Sequence, residues 1–421
     1  MSSRIRLERE SHIEVHRDTD ERDTDRDIDA DADGDVDRLS DINPDPRPVL
    51  ITGGAGFVGC NVAHRLLSMG VPVLLLDNLS RDGVERNLRW LRETHGSNVR
   101  AEIADVRDRG ALKTAVARAR QVFHFAAQVA VTTSLTDPTE DFEINAGGTL
   151  NVLEALRALS EPPPLVFTST NKVYGGLDDV ALVRRDGRYE PENSMLRDRG
   201  IGEDRPLDFH SPYGCSKGTA DQYVLDYSRS YGLRTIVFRM SCIYGPRQFG
   251  TEDQGWVAHF LIRAIERRPI VLYGDGMQVR DVLFVDDLVN AFLLAQENMD
   301  TQAGQAFNIG GGPERTTSLL ELLDLIEDLH GERPSIEREE WRTGDQRHYV
   351  SDTRCFQAAT GWSPRVRVEA GVARLYHWLM ESRMPVHSTS KSTRRAVAAG
   401  MAAPVSSVPV VANFISGEEV A

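Results

Sequence analysis

The sequence has little positive charge, and this shortage limits what the protein can bind. Its 421 residues include 49 Lys and Arg against 64 Asp and Glu, which gives a formal net charge of −15. A protein that holds nucleic acid by bulk electrostatics needs the opposite balance, because it must neutralise phosphates. We therefore expect no nucleic-acid partner.

Long apolar runs are also missing. A membrane-spanning helix needs about 18 or more consecutive apolar residues, and the sequence contains no such run. The first residues, "MSSRIRLERE", have no apolar core of the kind that an export signal requires. These two absences predict a cytoplasmic protein without a membrane partner.

Cysteine is scarce as well. The four cysteines are Cys60, Cys215, Cys242 and Cys355, and their spacing matches no metal-binding pattern. We interpret them as reduced thiols and predict no metal site. Cys215 lies inside a motif described below, where a small packing residue is the simplest interpretation.

The N-terminal segment, residues 1–47, has a composition of its own. Residues 1–45 contain 16 acidic and 7 basic residues and so carry −9 of the total charge of −15. The stretch "RDTDERDTDRDIDADADGDVDR" offers almost no apolar surface to bury. We predict a disordered acidic tail over residues 1–47.

A calcium-binding loop is the alternative interpretation of this segment. Its opening ligand positions match Asp29, Asp31, Asp33 and Gly34. The bidentate Glu that should close the loop falls on Ser40, and no helical pattern flanks it. The tail interpretation is therefore preferred.

Short apolar runs alternate with helix-length amphipathic segments from residue 48 onwards. The runs are "PVLIT", "PVLLLDN", "RAEIADV", "QVFHFAA", "PLVFTST" and "RTIVFRM". This rhythm predicts an α/β fold, a doubly wound parallel sheet of Rossmann type. We assign residues 48–242 to this domain, with an inserted loop at 176–206.

The rhythm changes near residue 243, where Pro, Gly and longer polar loops appear. We predict that residues 243–384 form mainly a smaller substrate-binding domain, with some segments returning to the Rossmann domain. Residues 385–421 are rich in Ser, Ala, Val and Pro without any period and are predicted to be a flexible tail.

A glycine motif follows the first predicted strand. In "ITGGAGFVG", the glycines Gly53, Gly54, Gly56 and Gly59 give G-x-G-x-x-G between a strand and a helix, which suits a dinucleotide pyrophosphate at a helix N-terminus. Asp77 ends the next predicted strand, where a carboxylate accepts hydrogen bonds from ribose hydroxyls. Arg81 lies close and could favour NADP, but a carboxylate repels the extra phosphate. We therefore predict NAD.

Tyr213 and Lys217 lie four residues apart in "HSPYGCSKG". If Pro212 opens a helix, the two side chains share one face. A nearby ammonium lowers the pKa of a phenol, which lets the tyrosine exchange a proton with an alcohol. Exposed helical pairs also show this spacing, but here it follows a dinucleotide motif at a suitable distance.

These motifs together resemble the nucleotide-sugar epimerase/dehydratase family of extended short-chain dehydrogenases/reductases. The likeness covers roughly residues 48–380. It implies an NAD-dependent enzyme that acts on a nucleotide-sugar and forms a homodimer or homotetramer.

The resemblance also implies roles for individual residues. The cofactor contacts of the family fall on Gly53, Gly56, Phe57, Val58, Gly59, Asp77, Asn78, Asp105, Val106, Phe125, Ala126, Ala127, Gln128, Asn145, Tyr213 and Lys217. The catalytic residues fall on Thr170, Tyr213 and Lys217. The positions that bind the nucleotide end of the substrate in the family correspond to Arg280, Arg342 and Asp345. Thr170 corresponds to the position that faces the sugar. For Arg280, an internal ion pair with Asp281 or Asp286 is the alternative.

The stretch "TSTNKVYGG" distinguishes between reactions. The dehydratases of the family carry Asp-Glu directly after the hydroxyl residue, where this chain has Asn171 and Lys172. Eliminating water needs an acid and a base, and an amide is neither. Dehydration is therefore disfavoured, which leaves an epimerase or a simple dehydrogenase.

Four segments indicate which members of the family the chain resembles most: "STNKVYG", "LDFHSPYGCSKG", "RQFGTEDQGW" and "GDQRHYVSD". They resemble family members that invert C2 of a CDP-3,6-dideoxyhexose. The residues themselves suit C4 inversion of a UDP-hexose or another NDP-hexose equally well. A non-catalytic NAD-binding regulatory protein is a third hypothesis, against which the intact Thr170, Tyr213 and Lys217 argue.

Overall fold

The structure, a computed structural model, describes residues 45–342 and 344–383. The predictions for the acidic tail, apart from residues 45–47, and for the C-terminal tail lie outside the described residues. So does the calcium-loop alternative.

Strands and helices alternate along the first half of the described chain. The strands are β1 (Val49–Thr52), β2 (Val73–Asp77), β3 (Val99–Ile103), β4 (Gln121–His124), β5 (Leu165–Thr170), β6 (Leu182–Arg185), β7 (Arg188–Pro191), β8 (Thr235–Met240), β9 (Cys242–Tyr244), β10 (Ile270–Tyr273), β11 (Val279–Phe284), β12 (Gln305–Ile309), β13 (Thr316–Ser318), β14 (Ile336–Glu339) and β15 (His348–Tyr349). The helices are α1 (Phe57–Ser68), α2 (Val84–His95), α3 (Arg109–Ala117), α4 (Val131–Thr136), α5 (Pro138–Phe142), α6 (Gly148–Arg157), α7 (Ser194–Arg199), α8 (Ser211–Tyr231), α9 (Trp256–Ile265), α10 (Val285–Glu297), α11 (Met299–Gln302), α12 (Leu319–His330), α13 (Arg354–Thr360) and α14 (Val368–Arg383). Short 3-10 turns lie at Gly96–Asn98 and Asn171–Tyr174, and a π turn lies at Glu143–Gly147.

A parallel sheet lies at the centre of the described residues. Within residues 45–342 and 344–383 it has seven strands in the order β12-β8-β5-β4-β1-β2-β3. Its strands are apolar along their length because helices cover both faces: Leu50 packs into one buried cluster with α3, α6 and α8, and Ile51 into the other with α1, α2 and α10. The predicted Rossmann-type fold is confirmed.

The strand order fixes the place of a ligand site. β1 lies between β2 and β4, so the chain winds outwards in both directions from this point. In open parallel sheets, the crevice beyond the carboxyl ends of the strands at such a switch point is where ligands bind. Gly53 and Phe125 follow the ends of β1 and β4 directly, which puts them at this crevice.

The remaining strands form smaller sheets around the crevice. β11 pairs with β9, β13 and β15, and β10 pairs with β14. β12 belongs to the central sheet, although it lies far along the chain. The segment 176–206 contains more regular structure than an inserted loop: β6 and β7 form an antiparallel hairpin, and α7 follows. Among the described residues, no helix is long and apolar enough to cross a membrane.

Candidate active site

A cavity of about 500 Å³ opens at the carboxyl edge of the central sheet and extends under the smaller sheets. Most of the site residues expected from the sequence line it. They are Gly53, Gly56, Phe57, Val58, Gly59, Asp77, Asn78, Asp105, Val106, Phe125, Ala126, Ala127, Thr170, Tyr213, Lys217, Arg280, Arg342 and Asp345.

The glycine loop packs closely against its neighbours. Gly53 has φ +67, and a Cβ there would lie 2.7 Å from the Ala126 nitrogen. A Cβ on Gly59 would lie 2.2 Å from the Gly53 carbonyl oxygen, so only glycine fits. At Gly56 the nearest atom to a Cβ, at 3.1 Å, is that same oxygen, and α1 begins at the next residue. Backbone N–H groups at this helix N-terminus are therefore accessible to a pyrophosphate, and the loop fits a dinucleotide.

Two substitutions separate packing from cofactor binding in this loop. We expect Gly59→Ala to lower the free energy of unfolding by about 2 kcal/mol, because the added methyl group overlaps the Gly53 carbonyl. Gly56→Ala should leave that free energy nearly unchanged yet weaken NAD binding about tenfold or more, because its methyl group would occupy the approach to the loop. Urea denaturation and NAD titration of both variants test this, and equal effects on stability would contradict it.

Asp77 holds the loop and the turn after β2 in place. Its carboxylate accepts hydrogen bonds from the backbone N–H of Ala55 at 2.9 Å and of Leu79 at 2.8 Å. Arg81 forms no ion pair with Asp77 among the described residues. Its Nη2 donates to Gln254 Oε1 at 2.6 Å, and both residues line the cavity.

Asp105 lines the cavity beside Asn78. It accepts hydrogen bonds from Asn78 Nδ2 at 2.8 Å and from the Arg107 side chain at 2.9 Å. The hydrogen bond from Arg107 is the main reason why the pKa of Asp105 is lowered to about 2. The carboxylate is therefore ionised at neutral pH and accepts hydrogen bonds.

Tyr213 and Thr170 both line the cavity at the carboxyl end of β5. The helix α8 begins at Ser211 with Pro212 in its first turn, as predicted, and brings Tyr213 to the end of β5. Burial raises the pKa of Tyr213 to about 12, while a hydrogen bond with Thr170 and the charge of Arg81 lower it. The phenol is therefore protonated at neutral pH in this structure.

Lys217 lies one helical turn after Tyr213. Its Nζ donates to the Thr168 carbonyl at 2.6 Å and lies 4.4 Å from the centre of the Phe167 ring. Burial lowers the pKa of Lys217 to about 8. Lys217 is not among the groups that act on the Tyr213 phenol in this structure, where burial dominates and Thr170 is the main group opposing it.

Two expected cofactor residues, Gln128 and Asn145, are not brought to the cavity wall. The π turn at Glu143–Gly147 buries Asn145, whose Nδ2 donates to Asp141 Oδ1 at 3.1 Å and to Ser216 Oγ at 3.0 Å. Its Oδ1 accepts from the Gln128 backbone N–H at 3.0 Å. The hydrogen bonds of Asn145 with Gln128 and Ser216 thus hold the segment after β4 against α8, next to Lys217.

The arginines predicted for the nucleotide end each have a carboxylate partner. Arg280 Nη2 lies 2.6 Å from Asp345 Oδ1, so the predicted substrate residues pair with each other. Its suggested alternative partners are engaged elsewhere. Asp281 accepts from the Gly312 N–H at 3.1 Å, and Asp286 pairs with Arg374 at 2.7 Å.

Arg342 closes the same end of the cavity. Its Nη2 donates to Glu252 Oε1 at 2.9 Å, and its guanidinium carbon lies 3.7 Å from the centre of the Tyr273 ring. Glu252 and Tyr273 line the cavity and are also hydrogen-bonded to each other.

Asn171 and Lys172 reach across to the loop around Gly344. Asn171 Nδ2 donates to Gln346 Oε1 at 3.3 Å, and Lys172 Nζ donates to the Gly344 carbonyl at 3.1 Å. Gln346 Nε2 in turn donates to the Gly175 carbonyl at 2.6 Å. Asn171 and Lys172 thus connect the end of β5 to the loop that carries Asp345.

Two cavity residues that the sequence analysis missed are Gln248 and Gln278, which are 4% and 3% exposed. Each amide nitrogen donates to a backbone carbonyl: Gln248 to Ile243 at 3.1 Å and Gln278 to Tyr273 at 2.8 Å. Among the described residues, neither side-chain oxygen has a donor. The available signal was a glutamine in each of the glycine-containing loops "YGPRQ" and "GDGMQ". The described part of the chain contains no cluster of His, Cys, Asp and Glu that could hold a metal ion.

Known proteins are similar to this chain in sequence and in fold. The model of the NAD dependent epimerase/dehydratase family matches residues 49–310. CDP-paratose 2-epimerase of Salmonella typhi is 43% identical over 337 residues, which are 78% of this chain and 98% of that protein.

Solved structures of epimerases are also similar to this chain. UDP-glucose 4-epimerase of Thermotoga maritima, solved with UDP-glucose, has a TM-score of 0.68 and 30% identity, over 80% of this chain and 99% of that one. The Thermus thermophilus UDP-glucose 4-epimerase complex with NAD has a TM-score of 0.67 and 31% identity, over 79% and 99% of the two chains. The chain therefore belongs to the NAD-dependent epimerase/dehydratase family, as its motifs indicate, and NAD is its cofactor.

Proposed function

We propose that this protein is a nucleotide-sugar epimerase that inverts C2 of CDP-paratose to give CDP-tyvelose. One observation carries the reaction type: Tyr213 and Thr170 both line the cavity and Thr170 acts on the Tyr213 phenol, while Asn171 and Lys172 follow where a dehydratase has its acid and base. The 43% identity to CDP-paratose 2-epimerase supports the substrate and the carbon.

When held by the glycine loop and Asp77, NAD would supply the redox chemistry, which is reversible hydride transfer at C2, and a positive charge at the site. Tyr213 exchanges the hydroxyl proton of C2 as this carbon is oxidised and reduced. Thr170 donates to the same oxygen and stabilises the developing carbonyl. Lys217, with a pKa of about 8, is mostly protonated at pH 7 and contributes a positive charge one helical turn after Tyr213.

The nucleotide remains bound while the sugar turns. Arg280 and Arg342 suit this role, because a guanidinium pairs with phosphate through two hydrogen bonds. In this structure Asp345 accepts a hydrogen bond from Arg280. Its carboxylate is also suited to accept a hydrogen bond from a ribose hydroxyl of the nucleotide. Gly53, Gly56, Gly59, Asp77 and Asp105 hold the cofactor.

A panel of nucleotide-sugars tests the substrate. Purified protein is incubated with CDP-paratose, CDP-tyvelose, UDP-glucose and UDP-galactose without added NAD, and the products are identified by mass spectrometry and NMR. We expect the two CDP-sugars to interconvert without net redox change, so that bound NAD suffices. Conversion of the UDP-hexoses alone would establish the second candidate, a UDP-hexose 4-epimerase, which the likeness to the Thermotoga maritima enzyme favours.

We also propose that the enzyme works in the cytoplasm as a homodimer or homotetramer. The family resemblance is the support for this assembly. Analytical ultracentrifugation of the purified protein distinguishes the two from a monomer.

A further inference from the structure

Lys172 brings a cation into the cavity that no predicted role accounts for. The residue is half-buried, lines the cavity, and follows Thr170 by two positions in the short turn at Asn171–Tyr174. Its ammonium donates to the Gly344 carbonyl at 3.1 Å. Within residues 45–342 and 344–383, no carboxylate lies at ion-pair distance from it.

The charges around Lys172 leave an excess of positive charge. Arg280 and Asp345 are the charged groups that act on the Lys172 ammonium, and Asp345 already pairs with Arg280 at 2.6 Å. Two cations thus share one carboxylate. Burial and the charge of Arg280 lower the pKa of Lys172 to about 8, which still leaves it mostly protonated at pH 7. A partly buried cation without a counter-ion is costly, and an anionic ligand removes this cost.

The position of Lys172 indicates which anion this is. Lys172 follows Thr170, where the sugar would react, by two positions, and it is also close enough to Arg280, expected at the nucleotide end, for the charge of Arg280 to act on it. In a nucleotide-sugar, the group between these two parts is the diphosphate, which offers acceptor oxygens and negative charge but no donor.

We infer that Lys172 binds the substrate's diphosphate at the phosphate that carries the sugar, and that Arg280 binds it from the nucleotide side. The inference rests on the proposed function, because it needs a nucleotide-sugar in the cavity. Lys172, at the position where dehydratases carry a carboxylate, would thus hold the phosphate about which the sugar turns.

Binding of CDP and CMP to the NAD-bound protein tests this contact without any catalysis. Titration calorimetry at pH 7 compares wild type, Lys172→Met and Lys172→Arg. We expect Lys172→Met to weaken CDP binding at least tenfold while CMP binding changes less than about twofold, because CMP lacks the second phosphate. Lys172→Arg keeps the charge and should retain most of the CDP preference. Circular dichroism and NAD content establish that both variants are folded.

An unchanged ratio of CDP to CMP affinity in Lys172→Met would overturn the inference. If turnover of the CDP-sugar falls while this ratio stays constant, the lysine contacts the sugar instead. Parallel titrations with UDP and UMP separate this result from failure of the proposed function. A wild type that prefers UDP refutes the cytidine substrate, and the effect of Lys172 is then measured in the uridine pair.

The pH dependence of CDP binding provides a second measurement. The charged and titratable groups acting on the Lys172 ammonium are Arg280, Asp345 and Cys242, and burial raises the pKa of the Cys242 thiol above its ordinary value. Since Lys172 loses its proton above about pH 8, CDP affinity of the wild type should fall through this range. Lys172→Met should lack this decrease, and a decrease of equal size in the variant would contradict the assignment.

Discussion

Tyr213→Phe is expected to reduce epimerisation about 10³-fold or more while the protein remains folded and retains NAD. The substitution removes one oxygen, the one that exchanges the proton of the substrate hydroxyl in the proposed mechanism and on which Thr170 acts. The ring itself is 8% exposed and stays packed, and the Tyr213 backbone N–H still donates to Ser134 Oγ at 3.1 Å. Turnover of the CDP-sugar and NAD content of the purified variant are the measurements.

Tyr227→Phe is a matched control on the same helix. The Tyr227 hydroxyl donates to Glu154 Oε1 at 2.6 Å and is not part of the cavity wall. Both variants lose one phenolic oxygen from α8, but only Tyr213→Phe should lose activity. If Tyr213→Phe turns over like wild type, proton transfer occurs elsewhere. If neither wild type nor variant turns over any nucleotide-sugar, the non-catalytic NAD-binding hypothesis gains support.

Asp221→Ala is expected to lower the free energy of unfolding by about 3–5 kcal/mol, because it leaves a buried arginine unpaired. Asp221 is fully buried on α8, and its two oxygens accept from Arg239 Nε and Nη2, each at 3.0 Å. Arg239 is 5% exposed on β8 and also donates to the Tyr174 hydroxyl at 3.2 Å. This ion pair attaches the helix that carries Tyr213 to the central sheet.

Asp226→Ala is the corresponding control at the surface of α8. The Asp226 side chain is 53% exposed and lies 3.7 Å from Arg229, so its loss should cost about 0.5 kcal/mol at most. Urea denaturation of both variants measures the difference. Similar midpoints for the two would show that the buried pair does not hold α8 in place.

The sequence predicts the central sheet well because its strands are continuous apolar runs separated by helix-length segments. The cofactor loop is equally readable, because the requirement for Gly59 comes from Gly53 and Gly54 in the same turn, and Gly53 has the positive φ of +67 that favours glycine. Tyr213 and Lys217 share one helix, so their spacing alone places them together.

Long-range pairings could not be predicted in the same way. The partner of Arg280 is Asp345, 65 positions away, whereas the only internal ion pair that the sequence offered, as the alternative to nucleotide binding, was with the nearer Asp281 or Asp286. The contact from Lys172 to Gly344 spans 172 positions. Such contacts depend on how the smaller sheets pack on the central sheet, which local patterns do not encode.

Burial also changes side-chain roles that a motif alone suggests. Asn145 lies in a π turn that directs its amide towards Asp141 and Ser216, whereas a regular helical pattern gave no sign of this. For Tyr213, the spacing shows the nearby Lys217 but not the burial that raises the pKa of the phenol to about 12.

The fate of the hydrogen at C2 tests the central claim most directly. Wild-type protein is incubated with CDP-paratose in deuterated water without added NAD, and the product is examined by NMR. Inversion by transient oxidation at C2 predicts CDP-tyvelose that retains its original hydrogen at C2, with no carbon-bound deuterium there. Deuterium at C2, which indicates deprotonation of this carbon beside a ketone, or the absence of CDP-tyvelose would contradict the proposal.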